Sequence, residues 1–159
     1  MKHEKIRVIQ FGVGPIGLRT VEYLSEKHAL EIVGAIDADP RKIGADLGEL
    51  AGFTEPLGVA VRGDAAEALK ELEAEVVILT TASSLEKIHP QVLQIVSSGK
   101  NVVSSCEELT YPWFSQPEIA VRLRPVGRRT RNGRPPLERS RQLRFLDLVL
   151  PVRLHVSHP

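Results

Sequence analysis

The sequence predicts an α/β chain with a doubly wound, mostly parallel sheet, on three observations. Short apolar runs alternate with amphipathic helical stretches through the first 110 residues. The run EVVILTT at 75–81 is continuous and rich in β-branched residues, as a strand buried on both faces requires. The turn after the first apolar run holds three glycines, at a place where a strand passes directly into a helix. Strands alternating with helices of this length form parallel units, and right-handed crossovers then place helices on both sheet faces.

Taken in order, residues 5–11 form the first strand and 12–17 the glycine turn. Ile16, Thr20, Val21 and Leu24 then recur at helical spacing. Residues 30–37 (LEIVGAID) form the second strand, 43–52 a short helix, and 59–62 a brief third strand. Ala65, Ala68, Leu69 and Leu72 make one face of a helix that Asp64 caps. After the strand at 75–81, Leu85, Ile88, Val92 and Ile95 mark a helix with Ser84 at its start and Gly99 just past its end. Residues 101–105 (NVVSS) close the series, and after Tyr111 the pattern fails.

The net charge of +1 hides a division along the chain. Residues 1–120 carry 11 Lys and Arg against 18 Asp and Glu, whereas 121–159 carry ten Arg, no Lys and two acids. Residues 1–120 therefore read as one domain. Residues 121–159 read as an Arg- and Pro-rich irregular tail, with loop or disorder over 121–144, and partial packing of this tail on the sheet edge stands beside a tail that hangs free. The single cysteine excludes an internal disulfide, and no apolar run approaches the roughly 20 residues of a membrane span. A charged N-terminus without a signal-peptide core adds to the expectation of a soluble, cytoplasmic protein with no membrane partner.

Gly12-Val13-Gly14-Pro15-Ile16-Gly17 matches the GxGxxG pattern, which carries weight because it follows a strand, opens a helix and precedes Asp37 by twenty residues. Gly12 allows the tight turn, Gly14 lets a pyrophosphate approach the backbone, and Gly17 lets the helix pack on the sheet. Pro15 and Ile16 open a helix whose positive end suits phosphates. Asp37 at the end of the second strand suits ribose hydroxyls. The pattern predicts a Rossmann domain for NAD or NADP; a tight turn that binds nothing is the competing reading. Asp37 favours NAD, while Arg41 and Lys42 are placed to neutralise a 2′-phosphate and admit NADP.

Two further segments reach the carboxyl edge of such a sheet. Thr80, Thr81, Ala82, Ser83 and Ser84 follow the central strand and suit either a cofactor contact or a helix N-terminus. Cys106, Glu107 and Glu108 follow the last strand, where a nicotinamide would sit. Glu107 and Glu108 are candidates to orient an amine, and equally the first-turn acids of a helix. Cys106 lacks a neighbouring histidine to make it a nucleophile, and His89 falls on a helix as a structural residue. No residue is assigned to a metal.

IRVIQFGVGPIG, GAIDADPRKIGADLGELAG, VVILTTASSLEKIHPQ and above all NVVSSCEELTYPW resemble the 2,4-diaminopentanoate dehydrogenase and amine dehydrogenase family, itself similar to dihydrodipicolinate reductases. The resemblance covers about residues 4–120. It implies NAD(P)-dependent oxidative deamination of a small amine or amino acid, with the cofactor on Gly12, Gly14, Gly17, Asp37 and the 81–84 loop. The segment 106–111 matches the family's stretch beside the nicotinamide. A homodimer is compatible with it. Family members run to about twice this length, so a C-terminal substrate domain is expected to be missing.

The stretch 121–144 does not resemble the family, and residues 145–148 do so again. Leu137-Glu138-Arg139, written TTG GAA CGG after a C, reads leucine-glycine-threonine one base back, which resembles the family at this point. A shifted reading frame accounts for Arg and Pro enrichment without lysine. Two alternatives stand beside the dehydrogenase: an imine reductase fragment of the dihydrodipicolinate reductase type, and a non-catalytic nucleotide-binding module with a basic tail. Nucleic acid is the less expected partner, because the tail holds a single aromatic, Phe145, and no periodicity. A chain that folds but catalyses nothing is as much expected as residual activity.

Overall fold

A computed structural model of the protein describes residues 5–110 and 112–123. Five parallel strands, β1 (Ile6–Phe11), β2 (Leu30–Ile36), β3 (Val61–Arg62), β4 (Val76–Leu79) and β5 (Asn101–Ser104), form one sheet in the order β3-β2-β1-β4-β5. Helices α1 (Pro15–Ser25), α2 (Leu47–Leu50), α3 (Ala65–Glu71) and α4 (Leu85–Ser97) fill the connections. A 3₁₀ turn (Glu107–Thr110) and two short helices, α5 (Pro112–Ser115) and α6 (Pro117–Leu123), follow β5. The doubly wound parallel sheet is the architecture expected from the sequence.

The core lies on both sheet faces. Ile9, Phe11, Ile36, Val77 and Leu79 pack with Ala68 and Leu69 of α3 and with Leu85, Ile88, Val92 and Ile95 of α4. On the other face Val13, Ala35 and Val61 pack with Val21 of α1 and Leu47 of α2. Successive residues of β2, Ala35 and Ile36, thus serve opposite faces, as a strand covered on both sides demands.

Three local expectations are corrected. The helix expected over 43–52 shrinks to α2, because Asp46 is extended and spends its carboxylate on the N–H groups of Gly48 and Glu49, capping a later start. The third strand begins at Val61, with Ala60 bridged to Asp46 in the antiparallel sense. The helical order after Tyr111 was not anticipated. Proline opens α5 and α6, which suits a first helical position, and Ile119 and Leu123, four residues apart, bury one face of α6 against the α4 side of the core. α6 runs through residue 120, and residues 124–159, with the frame reading and the packing of the tail on the sheet edge, lie outside the described residues. Among the described residues no helix is long and apolar enough to cross a membrane, and no three His, Cys, Asp or Glu side chains gather as a metal site.

Candidate functional site

Sheet register assembles the site. Ile36, Phe11, Leu79 and Ser104 stand opposite one another across β2, β1, β4 and β5. The residues that follow them, Asp37, Gly12, Thr80 and Ser105, therefore leave the sheet together at its carboxyl edge. Strand order reverses between β1 and β4, the position where open α/β sheets take ligands.

The glycine turn is built from below. Gly12, at φ +97, donates its N–H to the Ile36 carbonyl at 2.8 Å. Its own carbonyl accepts from Gln10 Nε2 at 2.9 Å and from Thr80 Oγ1 at 3.0 Å. A Cβ on Gly17 would stand 1.9 Å from that carbonyl oxygen, so the first turn of α1 closes only with glycine there. Gln10 is fully buried, donates also to Thr80 Oγ1 at 2.8 Å, and its Oε1 has no partner among the described residues. Sequence reasoning missed Gln10, for which the available signal was a lone amide just before the turn; Thr80, expected with its neighbours to face a cofactor, turns its hydroxyl to the Gly12 carbonyl and Gln10 instead.

Gly14 differs from its neighbours. It is the N-cap of α1 at φ −83 and ψ −173, and a Cβ there would meet nothing within 4 Å. No side chain caps the helix, no acid lies in its first turn, and Pro15 and Ile16 are exposed. The positive end of an eleven-residue helix thus opens onto the edge between β1 and β4. A pyrophosphate fits there: the backbone is bare, the N–H groups are uncapped, and the approach is clear.

Asp37 is half-buried beside this turn. Its Oδ2 accepts from Val13 N at 2.7 Å and from Lys42 Nζ at 3.3 Å, and its Oδ1 accepts from Asp39 N at 2.9 Å. Burial works against its charged form, but the N–H groups of Asp39 and Val13 and the Lys42 ammonium outweigh it, so Asp37 titrates below its ordinary value. Arg41 turns away to Asp39, with Nε at 3.0 Å and Nη2 at 2.7 Å from the two carboxylate oxygens. That fork, with the Arg41 N–H, holds Asp39 down to about 2.

The loops after β4 and β5 are stapled together. Thr81 is exposed and donates to Gln91 Oε1 at 2.6 Å; Ala82 and Ser84 are half-buried and Ser83 is exposed. Ser84 begins α4 without using its hydroxyl as a cap; Glu108 Oε2 accepts the Leu85 N–H instead, at 2.7 Å. Cys106 is buried in the core, its thiol 3.2 Å from the Ser83 carbonyl, and burial pushes its pKa up. It supports the Ser83 backbone from beneath. Glu107 is exposed, and its carboxylate makes no hydrogen bond or ion pair among the described residues. His89 lies on α4 with Nδ1 against the Glu86 carbonyl at 2.8 Å, a contact within its own helix.

Residues 6–106 match the family described as the N-terminus of dihydrodipicolinate reductase. The chain is 32% identical over 120 residues to 2,4-diaminopentanoate dehydrogenase of Acetoanaerobium sticklandii, covering 74% of this chain and 33% of that protein. It is 37% identical over 54 residues to 4-hydroxy-tetrahydrodipicolinate reductase of Trichormus variabilis, covering 34% of this chain and 19% of that one. Among solved structures, the amine dehydrogenase from Mycobacterium smegmatis superposes with a TM-score of 0.76 at 36% identity, over 80% of this chain and 38% of that one. The WlbA dehydrogenase from Bordetella pertussis, solved with NADH and UDP-GlcNAcA, shares the fold at a TM-score of 0.58 and 21% identity, over 80% and 34% of the two chains. The chain spans about a third of the length of the 2,4-diaminopentanoate dehydrogenase it matches. With a parallel sheet in the order of a dinucleotide fold and a family match over most of its described length, the chain belongs to the dihydrodipicolinate reductase N-terminal family.

Proposed function

We propose that this chain is the NAD(P)-binding part of an oxidoreductase acting on a CH–NH2 group of a small amine or amino acid. The observation that carries the binding half is the uncapped end of α1 at Gly14, open at the β1–β4 edge with Asp37 beside it. Gly12, Gly14, Pro15, Ile16 and Gly17 would hold the pyrophosphate, Asp37 the adenosine ribose, and the backbone at Thr81, Ala82, Ser83 and Ser84 the second ribose. Cys106 acts through the Ser83 carbonyl.

The amine half rests on the likeness to 2,4-diaminopentanoate dehydrogenase and to an amine dehydrogenase. A bound nicotinamide would accept the hydride of the amine-bearing carbon; water then adds to the resulting substrate imine, and ammonia leaves to give the ketone. This chain's own part is to position. Glu107 is the carboxylate after β5 left exposed to pair with a substrate ammonium, since Glu108 is engaged at Leu85. Residues 1–120, the domain expected from the sequence, form the binding unit in this reading, with α6 carrying it on to Leu123.

The test is a titration of the full chain with NADH and NADPH, read by energy transfer from Trp113, the sole tryptophan, on the exposed surface of α5. Saturable quenching with sensitised nicotinamide emission is expected. A folded chain that shows neither with either dinucleotide sinks the proposal.

A further inference from the structure

Resting on the dinucleotide reading above, we propose that Lys42, rather than Arg41, sets cofactor choice, cancelling the charge on Asp37 so that the site accepts a 2′-phosphate as well as a 2′-hydroxyl. Lys42 reaches back 29 residues to donate to the Val13 carbonyl at 2.9 Å and to Asp37 Oδ2 at 3.3 Å. The N–H of Val13 donates to the same Oδ2 at 2.7 Å. These contacts close a ring in which Val13 is held through both polar groups of its backbone. Lys42 thereby fixes the second residue of the glycine turn and the ribose acid in one arrangement.

The charges around it are disposed in two pairs. Arg41 is spent on Asp39 through a two-point fork and points to solvent, its side chain 88% exposed. Lys42 is only 27% exposed and lies 4.0 Å from Asp39 Oδ2, so its ammonium stays with Asp37. An ammonium has three donors, and the ring uses two, leaving one for an incoming anion. Asp37 alone would repel a phosphate at the ribose 2′ position; with the ammonium fixed on its Oδ2 the pair is neutral and carries a free donor. A bare hydroxyl still finds the carboxylate as acceptor.

Dissociation constants of NADH and NADPH are measured for the full chain, Lys42→Met and Arg41→Met, with far-UV circular dichroism confirming that each is folded. The wild type is expected to bind both, and Lys42→Met to weaken NADPH about tenfold more than NADH, the scale of one lost charge-assisted hydrogen bond. Lys42→Arg should keep most of the NADPH affinity. Equal weakening of both dinucleotides would show a clamp without a role in choice and overturn the assignment. So would a loss of NADPH selectivity in Arg41→Met that Lys42→Met does not share. If Lys42→Met fails to fold, the wild type decides: its NADPH constant must rise more steeply with salt than its NADH constant, and parallel slopes overturn the proposal. A wild type that binds neither overturns the dinucleotide reading and this inference together, whereas binding with an unchanged ratio in Lys42→Met removes this inference alone.

Discussion

The carboxylate of Glu108 accepts the backbone N–H of Leu85 at 2.7 Å, so the loop after β5 caps the helix that follows β4. Ser84 stands at the N-cap position yet makes no side-chain bond there. A residue 23 positions away does the work that a neighbouring serine usually does. Glu108→Ala should therefore cost about 1–2 kcal/mol, the ordinary worth of an N-cap, and Ser84→Ala less than that. Urea unfolding of the two variants decides it, and a larger loss in Ser84→Ala would show that the cap is misassigned. Glu107→Ala, at an exposed position, should stay within about 0.5 kcal/mol of wild type.

Gly14 and Gly17 separate binding from folding. At Gly17 an added methyl collides with the Gly12 carbonyl, which two donors already hold in place, so Gly17→Ala should unfold the glycine turn and lower stability by several kcal/mol. At Gly14 the φ of −83 suits any residue and an added methyl enters open space. Gly14→Ala should melt within a few degrees of wild type, yet lose dinucleotide affinity by tenfold or more, because the methyl stands on the approach to the helix end. A Gly14→Ala chain that binds NADH as well as wild type would place the pyrophosphate elsewhere.

What could be read from the sequence and what could not divide along a physical line. The glycine turn and Asp37 are legible because their spacing reflects one strand, one turn and the next strand, all local geometry. Asp64 as a cap and Gly99 at φ +81 past α4 are legible for the same reason. Gln10 beneath the turn, Lys42 across from Val13, and Glu108 at the head of α4 are tertiary contacts, and no spacing rule exposes a partner 23 to 70 residues away. The helix expected over 43–52 failed because apolar periodicity does not register Asp46, whose carboxylate gathers four backbone N–H groups into a loop. α5 and α6 are too short to show periodicity, although Pro112, Pro117 and the Ile119–Leu123 pair were signals at hand.

Asp46 makes the fold sensitive to acid. Burial raises its pKa, but the N–H groups of Leu57, Gly48, Glu49 and Val59 more than offset this, and the carboxyl ends below its ordinary value. Asp37 moves in the same direction, and Asp39 falls to about 2. With folded values below the unfolded one of about 3.9, the unfolded chain binds more protons in this range. Stability is thus complete above about pH 4 to 5 and falls as pH drops through the folded values. Melting temperatures from pH 7 to pH 2 should decline mainly below pH 4. Asp46→Asn should be less stable at pH 7, since its amide turns a donor toward an N–H, and its decline with acid should be shallower. A variant whose curve runs parallel to wild type would remove Asp46 as a source of the acid sensitivity.

Cys106 offers a probe of how firmly the two loops are joined. It is the sole cysteine, 3% exposed, and its thiol points to the Ser83 carbonyl at 3.2 Å. Burial, together with the nearby Glu108 and Glu107 charges, raises its pKa, although the N–H groups of Glu108 and Leu109 oppose this. The thiolate is the reactive form, so both burial and protonation slow attack. Labelling by a disulfide reagent at pH 8 should run at least about a hundredfold slower in the folded chain than in denaturant, because it waits on local opening. Glu108→Ala removes the other staple between the loops and should speed labelling more than it lowers global stability, since it frees the segment that covers Cys106. Labelling that is fast in the native chain and indifferent to Glu108 would mean that the β4 and β5 loops move independently, and the carboxyl edge would then lack the fixed backbone at Ser83 on which a second ribose could rest.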